Sequence, residues 1–207
     1  NEGLKYARGR YIARMDSDDI SFKNRLSLQL SYLQSHPNVK ILGTEYFIHE
    51  NQHLTYFKLP TKSEDVNVLL AFGCCIRHST AVFERRAIEK GYSSYYNLME
   101  DYYLWVSNIG ICKMENLRVP LLIHQKRSNS VTGQYCNDKI SVLNQFKTIQ
   151  ELALKKLTIL LPEQIDSFSS LLRRLYTSES CARDAYIEYR EIIRQIPIKQ
   201  RIYPHLY

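Results

Sequence analysis

Asp16-Ser17-Asp18-Asp19 places three carboxylates within four residues. Such crowding is unfavourable unless a cation offsets it. Ligands that are all oxygen select hard ions: magnesium, manganese or calcium. So few side chains would leave the ion to complete its shell with water or with phosphate oxygens of a substrate. An EF-hand does not fit, because the later Gly and the distal Glu of that loop are missing. A plainer reading stays open here, that of a solvated acidic turn ahead of a helix, where acids are favourable anyway. A second pair, Glu100-Asp101, opens the run Tyr102-Tyr103-Leu104-Trp105, which holds the single Trp. A carboxylate placed there can accept a proton. Equally, it can be an ordinary acid at a helix start with an aromatic buried behind it.

The elements around these acids follow from pattern. Residues 1 to 9 read as the end of a helix stopped at Gly9. Tyr11 to Met15 is a β-prone run that leads straight into the acidic turn. Ser21 is placed to cap the next helix, with Phe22, Leu26, Leu30 and Leu33 on its buried face, and Pro37 ends it near His36. Val39 to Leu42 reads as a strand ended by Gly43, and Tyr46 to His49 as another. Thr61 and Glu64 have capping-box spacing ahead of Val66 to Phe72. Cys74 to Phe83 looks extended. Glu84 to Lys90 is a short helix closed by Gly91, and Glu100 to Ile109 is a helix ended by Gly110. Ile111 to Met114 and Val119 to His124 are two strands with a turn between them. After about Cys136 the pattern is helical throughout, with Ile140, Leu143, Phe146, Ile149 and Leu157 on one amphipathic segment. Mixed strands and helices followed by helices alone predict an α/β layered domain with a helical region after it.

With these elements in place, a resemblance is evident. Asn1-x-Gly3-Leu4-x-x-Ala7-x-Gly9-x-Tyr11-Ile12-Ala13-Arg14-Met15-Asp16-Ser17-Asp18-Asp19-Ile20, then Arg25-Leu26, Gln29, His36-Pro37-x-Val39 and Gly43, resembles glycosyltransferase family 2. The resemblance implies a GT-A-like mixed sheet with flanking helices, partial here. It implies that Asp18 ligates a divalent cation, Mn2+ or Mg2+, on the diphosphate of a nucleotide-sugar donor. Asp16 would face the ribose or the water shell of the ion, and Asp19 is a weaker candidate, a helix-start acid. The Glu100-Asp101-Tyr102-x-Leu104-Trp105 string is similar to the family's acceptor-side motif, so Asp101 is its expected general base and Glu100 orients the acceptor. A helix N-terminus is expected to keep Asp101 ionised. His78, in Cys74 to Phe83, is expected to line the acceptor pocket. Arg127, where the family usually carries His, is a candidate clamp on a diphosphate oxygen.

The resemblance covers roughly residues 1 to 135, expected as the C-terminal half of a catalytic domain, truncated at its N-terminal side; 136 to 207 is expected as an all-helical tail. The function it implies is inverting transfer of a sugar to the hydroxyl of a saccharide or lipid-linked acceptor, in bacterial surface polysaccharide or lipopolysaccharide assembly. The expected location is the cytoplasm, with peripheral contact at the inner face of the plasma membrane.

Composition sets limits on this. The 207 residues suit one domain plus an appendage, and the formal charge of +7 suits anionic partners without choosing among them. The five cysteines include no CxxC pair, so neither a zinc site nor a disulfide framework is suggested. Cys74 and Cys75 read as buried strand residues with reduced thiols. No apolar stretch approaches the roughly 20 residues of a membrane span. Two other classes stay open: a noncatalytic relic that binds metal or a partner, and a nucleic-acid binder. The second is disfavoured, since the 16 tyrosines are scattered and form no recognised module.

Overall fold

The computed structural model describes residues 1–96, 99–126 and 139–157. A short helix α1 (Glu2–Tyr6) leads to strand β1 (Tyr11–Ala13), the acidic turn and a two-residue strand β2 (Ile20–Ser21). Helix α2 (Arg25–Ser35) follows, then the long strand β3 (Val39–Glu50), its hairpin partner β4 (His53–Phe57) and helix α3 (Ser63–Leu69). A 3-10 turn (His78–Thr80) precedes β5 (Val82–Glu84), and a second (Arg85–Ile88) follows it. Helix α4 (Glu100–Ser107), strand β6 (Lys113–Gln125) and helix α5 (Lys139–Leu157) complete the described chain. The sheet runs β1-β5-β3-β6-β2, with β4 added beside β3. Strand β3 is parallel to β6 and antiparallel to β4 and β5. The fold is therefore a mixed sheet with flanking helices, as expected.

Several boundaries differ from the sequence reading. Gly43 does not end a strand. A Cβ there would lie 2.1 Å from Asn116 Oδ1, so its role is to let β3 and β6 approach. Two expected strands thus merge into β3. Likewise the turn expected within β6 is absent, because Pro120 sits opposite Glu45, where the register slips and a missing N–H is tolerated. Strand β4 was not foreseen. Its hairpin turns through Asn51 and Gln52, both at positive φ (47° and 67°), and Gln is an unusual residue for that role. Thr61 and Glu64 form no capping box; α3 starts at Ser63, and Lys62 makes no side-chain cap. Glu84 to Lys90 supplies only a 3-10 turn, closed by Gly91 at φ 65°.

Helix α2 corrects the largest expectation. Ser21 lies in β2, Phe22 precedes the helix, and Asn24 is the N-cap residue. The buried residues are Arg25, Gln29 and Leu33, whereas Leu26 is 57% exposed and Leu30 41%. Hydrophobic periodicity put Phe22, Leu26 and Leu30 inside; unpaired backbone carbonyls beneath the helix required polar residues there instead.

The main core lies between the sheet and helices α3, α4 and α5. Trp105, Ile76, Phe83, Met114 and Leu70 are fully buried, and Ile149, Ala153 and Leu154 of α5 join the same cluster. Trp105 Nε1 donates to Ile76 O at 3.2 Å and Tyr102 Oη to Leu70 O at 2.6 Å, so the polar tips of both aromatics are paired. The expected amphipathic segment after residue 136 is thus a helix packed on the α/β core. Residues 158–207 lie outside the described ones.

Candidate functional site

Residues 14 to 19 link β1 to β2. The Arg14 N–H donates to Ala81 O at 2.9 Å. From beneath, Arg25 Nη2 donates to Arg14 O at 2.7 Å and Arg25 Nε to Gln29 Oε1 at 3.0 Å. Gln29 Nε2 donates to the carbonyls of Leu42 and Thr80, each at 2.9 Å. One buried polar pair on α2 therefore fixes the end of β1, the middle of β3 and the His78–Thr80 turn relative to one another. Spacing of i, i+4 puts both side chains on one helix face.

The three acids of the turn have different surroundings. Asp16 forms an ion pair with the Arg14 guanidinium. Asp18 is half-buried and makes no hydrogen bond or ion pair with any described residue. Asp19 is buried, and its Oδ1 accepts hydrogen bonds from His124 Nδ1 at 2.8 Å and the Gln125 N–H at 3.0 Å. Burial works to raise the Asp19 pKa, but the hydrogen bonds from His124 and the Gln125 N–H outweigh it and hold the carboxyl below the usual value. Asp19 is thus no helix-start acid; it pins the turn to β6. On the far side of the ring, Arg77 Nη2 lies 2.6 Å from His124 Nε2. A guanidinium can only donate, so Nε2 accepts and Nδ1 carries the proton offered to Asp19.

The second acidic pair opens α4. Asp101 Oδ1 accepts the Tyr102 N–H at 2.7 Å, and Oδ2 lies 3.8 Å from Cys74 Sγ. Burial pushes the Asp101 carboxyl up to about 6; Tyr102 N–H lowers it, Glu100 raises it and the Arg77 charge lowers it, all more weakly. The helix N-terminus was expected to keep this carboxylate ionised; burial is the largest influence on it, yet a value of about 6 leaves it ionised at neutral pH. Cys74 is exposed and Cys75 buried, and both lie in the loop before the His78–Thr80 turn, not in a strand.

His78 lies between the two acidic regions. Its Nε2 is 2.9 Å from Tyr92 Oη, and its ring meets Trp105 edge-on at 6.1 Å. Burial, with the Arg14 charge next, pushes its pKa down to about 4, so the ring is neutral at physiological pH. Tyr92 is held in turn by Asn1: Nδ2 donates to Tyr92 O and Oδ1 accepts the Tyr92 N–H, both at 2.8 Å. A cleft of about 510 Å³ opens here, lined by Arg14, Met15, His78, Tyr92 and Glu100 among others. The structure therefore brings His78 and Glu100 to one cleft, with Asp16 attached through Arg14. Asp101 follows Glu100 on α4, and its charge acts on Tyr92. Asp18 sits on the same turn as Asp16, and Arg127 lies outside the described residues.

Among known proteins, the sequence model of Glycosyl transferase family 2 matches residues 1–92. Over that segment the chain belongs to glycosyltransferase family 2. A relative from Escherichia coli, the UDP-Glc:alpha-D-GlcNAc-diphosphoundecaprenol beta-1,3-glucosyltransferase WfgD, is 37% identical over 107 residues, 52% of this chain and 41% of that protein. The O-antigen biosynthesis glycosyltransferase WbnJ of Escherichia coli is 33% identical over 158 residues, 72% of this chain and 58% of that protein. The chain thus spans about half the length of these glycosyltransferases. In S. aureus TarS a similar fold covers 97% of this chain and 36% of that one, with a TM-score of 0.55 and 12% identity, a likeness of fold alone. The fold of this family 2 chain is accordingly GT-A-like.

Sequence reasoning passed over the roles of Arg25, Gln29, Asn1, Tyr92, Arg77 and His124. For Arg25 and Gln29 the signal was present, as two polar residues in i, i+4 register inside an otherwise apolar stripe. The others act through partners 47 to 91 positions away in sequence, which no local pattern reveals.

Proposed function

We propose that the protein containing this chain is an inverting glycosyltransferase. It would transfer a sugar from a nucleotide-diphosphate donor to an acceptor hydroxyl, with Asp101 as the base. The observation that carries this reading is a cleft that His78 and Glu100 line together with Arg14 of the acidic turn, where Asp18 has no partner among the described residues and half-buried Asp101, next to Glu100, has a raised pKa. Family membership and the named activities of WfgD and WbnJ support the reaction class. Those names also favour O-antigen or related surface polysaccharide as the product and a lipid-linked saccharide as the acceptor. Assembly would then take place at the inner face of the plasma membrane by peripheral contact. Among the described residues, no helix is long and apolar enough to cross a membrane.

The acidic turn fits a divalent cation of the Mn2+ or Mg2+ kind. Asp16 and Asp18 are oxygen donors, and Asp18 has no competing partner among the described residues. No cluster of three or more His, Cys, Asp or Glu side chains exists among the described residues, so donor phosphates and water must supply the remaining positions. When bound, such an ion offsets the charge that builds on the leaving diphosphate. The chain's own residues do the rest. Arg25 and Gln29 hold the turn in place, and Arg14 positions Asp16. Neutral His78 offers the acceptor a hydrogen-bonding edge, and Glu100 orients it. With a pKa of about 6, Asp101 is ionised at neutral pH yet more basic than an ordinary carboxylate, which suits a proton acceptor.

The test uses the full-length enzyme with UDP-glucose and a lipid-linked acceptor. Asp101→Asn is expected to lower transfer by about 10²- to 10⁴-fold, leaving manganese-dependent binding of UDP intact, whereas Asp18→Ala removes that binding. Wild-type rates in the Asp101→Asn enzyme would remove the base. No thermal stabilisation of wild type by manganese with UDP would favour a noncatalytic binding module.

A further inference from the structure

The His78 ring meets two aromatics, and they act on it differently. Trp105 packs edge-on against it with centroids 6.1 Å apart, and Tyr92 meets it at 5.4 Å with an interplanar angle of 62°. The indole N–H of Trp105 is already given to Ile76 O, so that ring only packs. Tyr92 Oη lies 2.9 Å from His78 Nε2 and has no other hydrogen-bond partner among the described residues. Packing fixes where the imidazole sits. The hydrogen bond decides which of its nitrogens carries the proton.

The polarity of that bond follows from its two groups. His78 is neutral at physiological pH, so one ring nitrogen accepts and the other donates. Burial pushes the Tyr92 hydroxyl up to about 12, so it keeps its proton. An imidazole nitrogen is a much stronger base than a phenol oxygen, so the hydroxyl donates to Nε2. The ring proton is then on Nδ1, which has no partner among the described residues. Tyr92 is itself held by its backbone. Asn1 Nδ2 donates to Tyr92 O and Asn1 Oδ1 accepts the Tyr92 N–H, both at 2.8 Å. The preceding Gly91 has φ 65°, and a Cβ there would come within 2.6 Å of Asn1 Oδ1, so only glycine leaves room for this grip. Asn1, His78 and Tyr92 line one cleft together with Arg14 and Glu100.

We propose that Tyr92 is a positioning residue that locks His78 in the tautomer protonated at Nδ1, so that the cleft presents a hydrogen-bond donor to an oxygen of the acceptor. This rests on the sugar-transfer reading and adds a specificity-determining residue to its acceptor side, where Glu100 lines the same cleft. The two sides of the acceptor are then read by opposite chemistry. Asp101 takes the proton of the reacting hydroxyl, whereas Nδ1–H pairs with a neighbouring oxygen through its lone pair.

The test reads the ring directly by nitrogen NMR. Full-length enzyme is labelled with isotopically enriched histidine, and the His78 signals are identified by their loss in His78→Gln. Wild type is expected to show a protonated Nδ1 and a bare Nε2. Tyr92→Phe removes the hydroxyl and keeps the ring, and it should place the proton on Nε2 in a large share of molecules. In transfer assays the same variant is expected to raise acceptor KM about five- to tenfold, the scale of one hydrogen bond, with donor KM unchanged. A proton on Nε2 in wild type overturns the proposal, and that measurement needs no variant to fold. In Tyr92→Phe, a changed tautomer with an unchanged acceptor KM overturns it, as does the reverse. A parallel rise in both KM values also overturns it, showing Tyr92 to be a structural prop. The two readings fail separately. Undiminished transfer by Asp101→Asn would remove the base yet leave the Tyr92-dependent tautomer and acceptor KM standing. An active enzyme with Nε2 protonated would remove only the role of Tyr92.

Discussion

The acidic turn and the start of α4 both display adjacent carboxylates, yet the fold treats them in opposite ways. At the turn, Asp16 has a guanidinium, Asp19 has a ring N–H and a backbone N–H, and a buried Arg25–Gln29 pair fixes the backbone below. At α4, Asp101 has one backbone N–H and a thiol nearby, sits over an apolar core built on Trp105, and makes no ion pair with a described residue. The first arrangement leaves one acid, Asp18, without a partner among the described residues. The second raises the proton affinity of an acid to about 6. Identical side chains thus acquire different chemistry from whether polar groups or apolar groups surround them.

That contrast can be broken most severely from the apolar side. Trp105→Ala is expected to cost roughly 3–5 kcal/mol, the range for emptying an aromatic-sized core site, and a urea melt should show it. The polar side should give a smaller loss. Arg25→Met leaves Arg14 O and Gln29 Oε1 without their donor, so roughly 1–3 kcal/mol is expected. Its diagnostic is loss of manganese-dependent UDP binding in full-length enzyme that is still folded, since the turn would no longer be held.

The smallest effect sharpens the comparison best. Asp101 has a folded pKa of about 6 against an ordinary 3.8. For an acid raised in this way, the favourable contribution is complete below the unfolded value and is lost as pH rises through about 6. Wild type therefore carries a penalty at pH 7.5 that Asp101→Asn removes. Allowing for partial solvent access, the variant should gain roughly 1 kcal/mol, or roughly 2–4 °C in Tm. The gain should vanish at pH 4. An Asp101→Asn enzyme no more stable at pH 7.5 than at pH 4, relative to wild type, would show that burial does not govern this carboxylate.

Much of this was legible from the chain alone. The order of β1, the acidic turn, α4 and α5 follows from apolar spacing and from stop signals such as Pro37 and Gly110, because those effects act over a few residues. Tertiary structure decided what periodicity does not record. It turned Arg25 and Gln29 inward in place of Leu26 and Leu30, because carbonyls from β1, β3 and the His78–Thr80 turn meet beneath α2 and need donors. It joined Asp19 to His124 across 105 positions and set Arg77 behind them. The sequence by itself determined which residues could be charged and where helices and strands would start. Only the folded chain decided which of those charges met a partner, because the partners come from segments far apart in sequence.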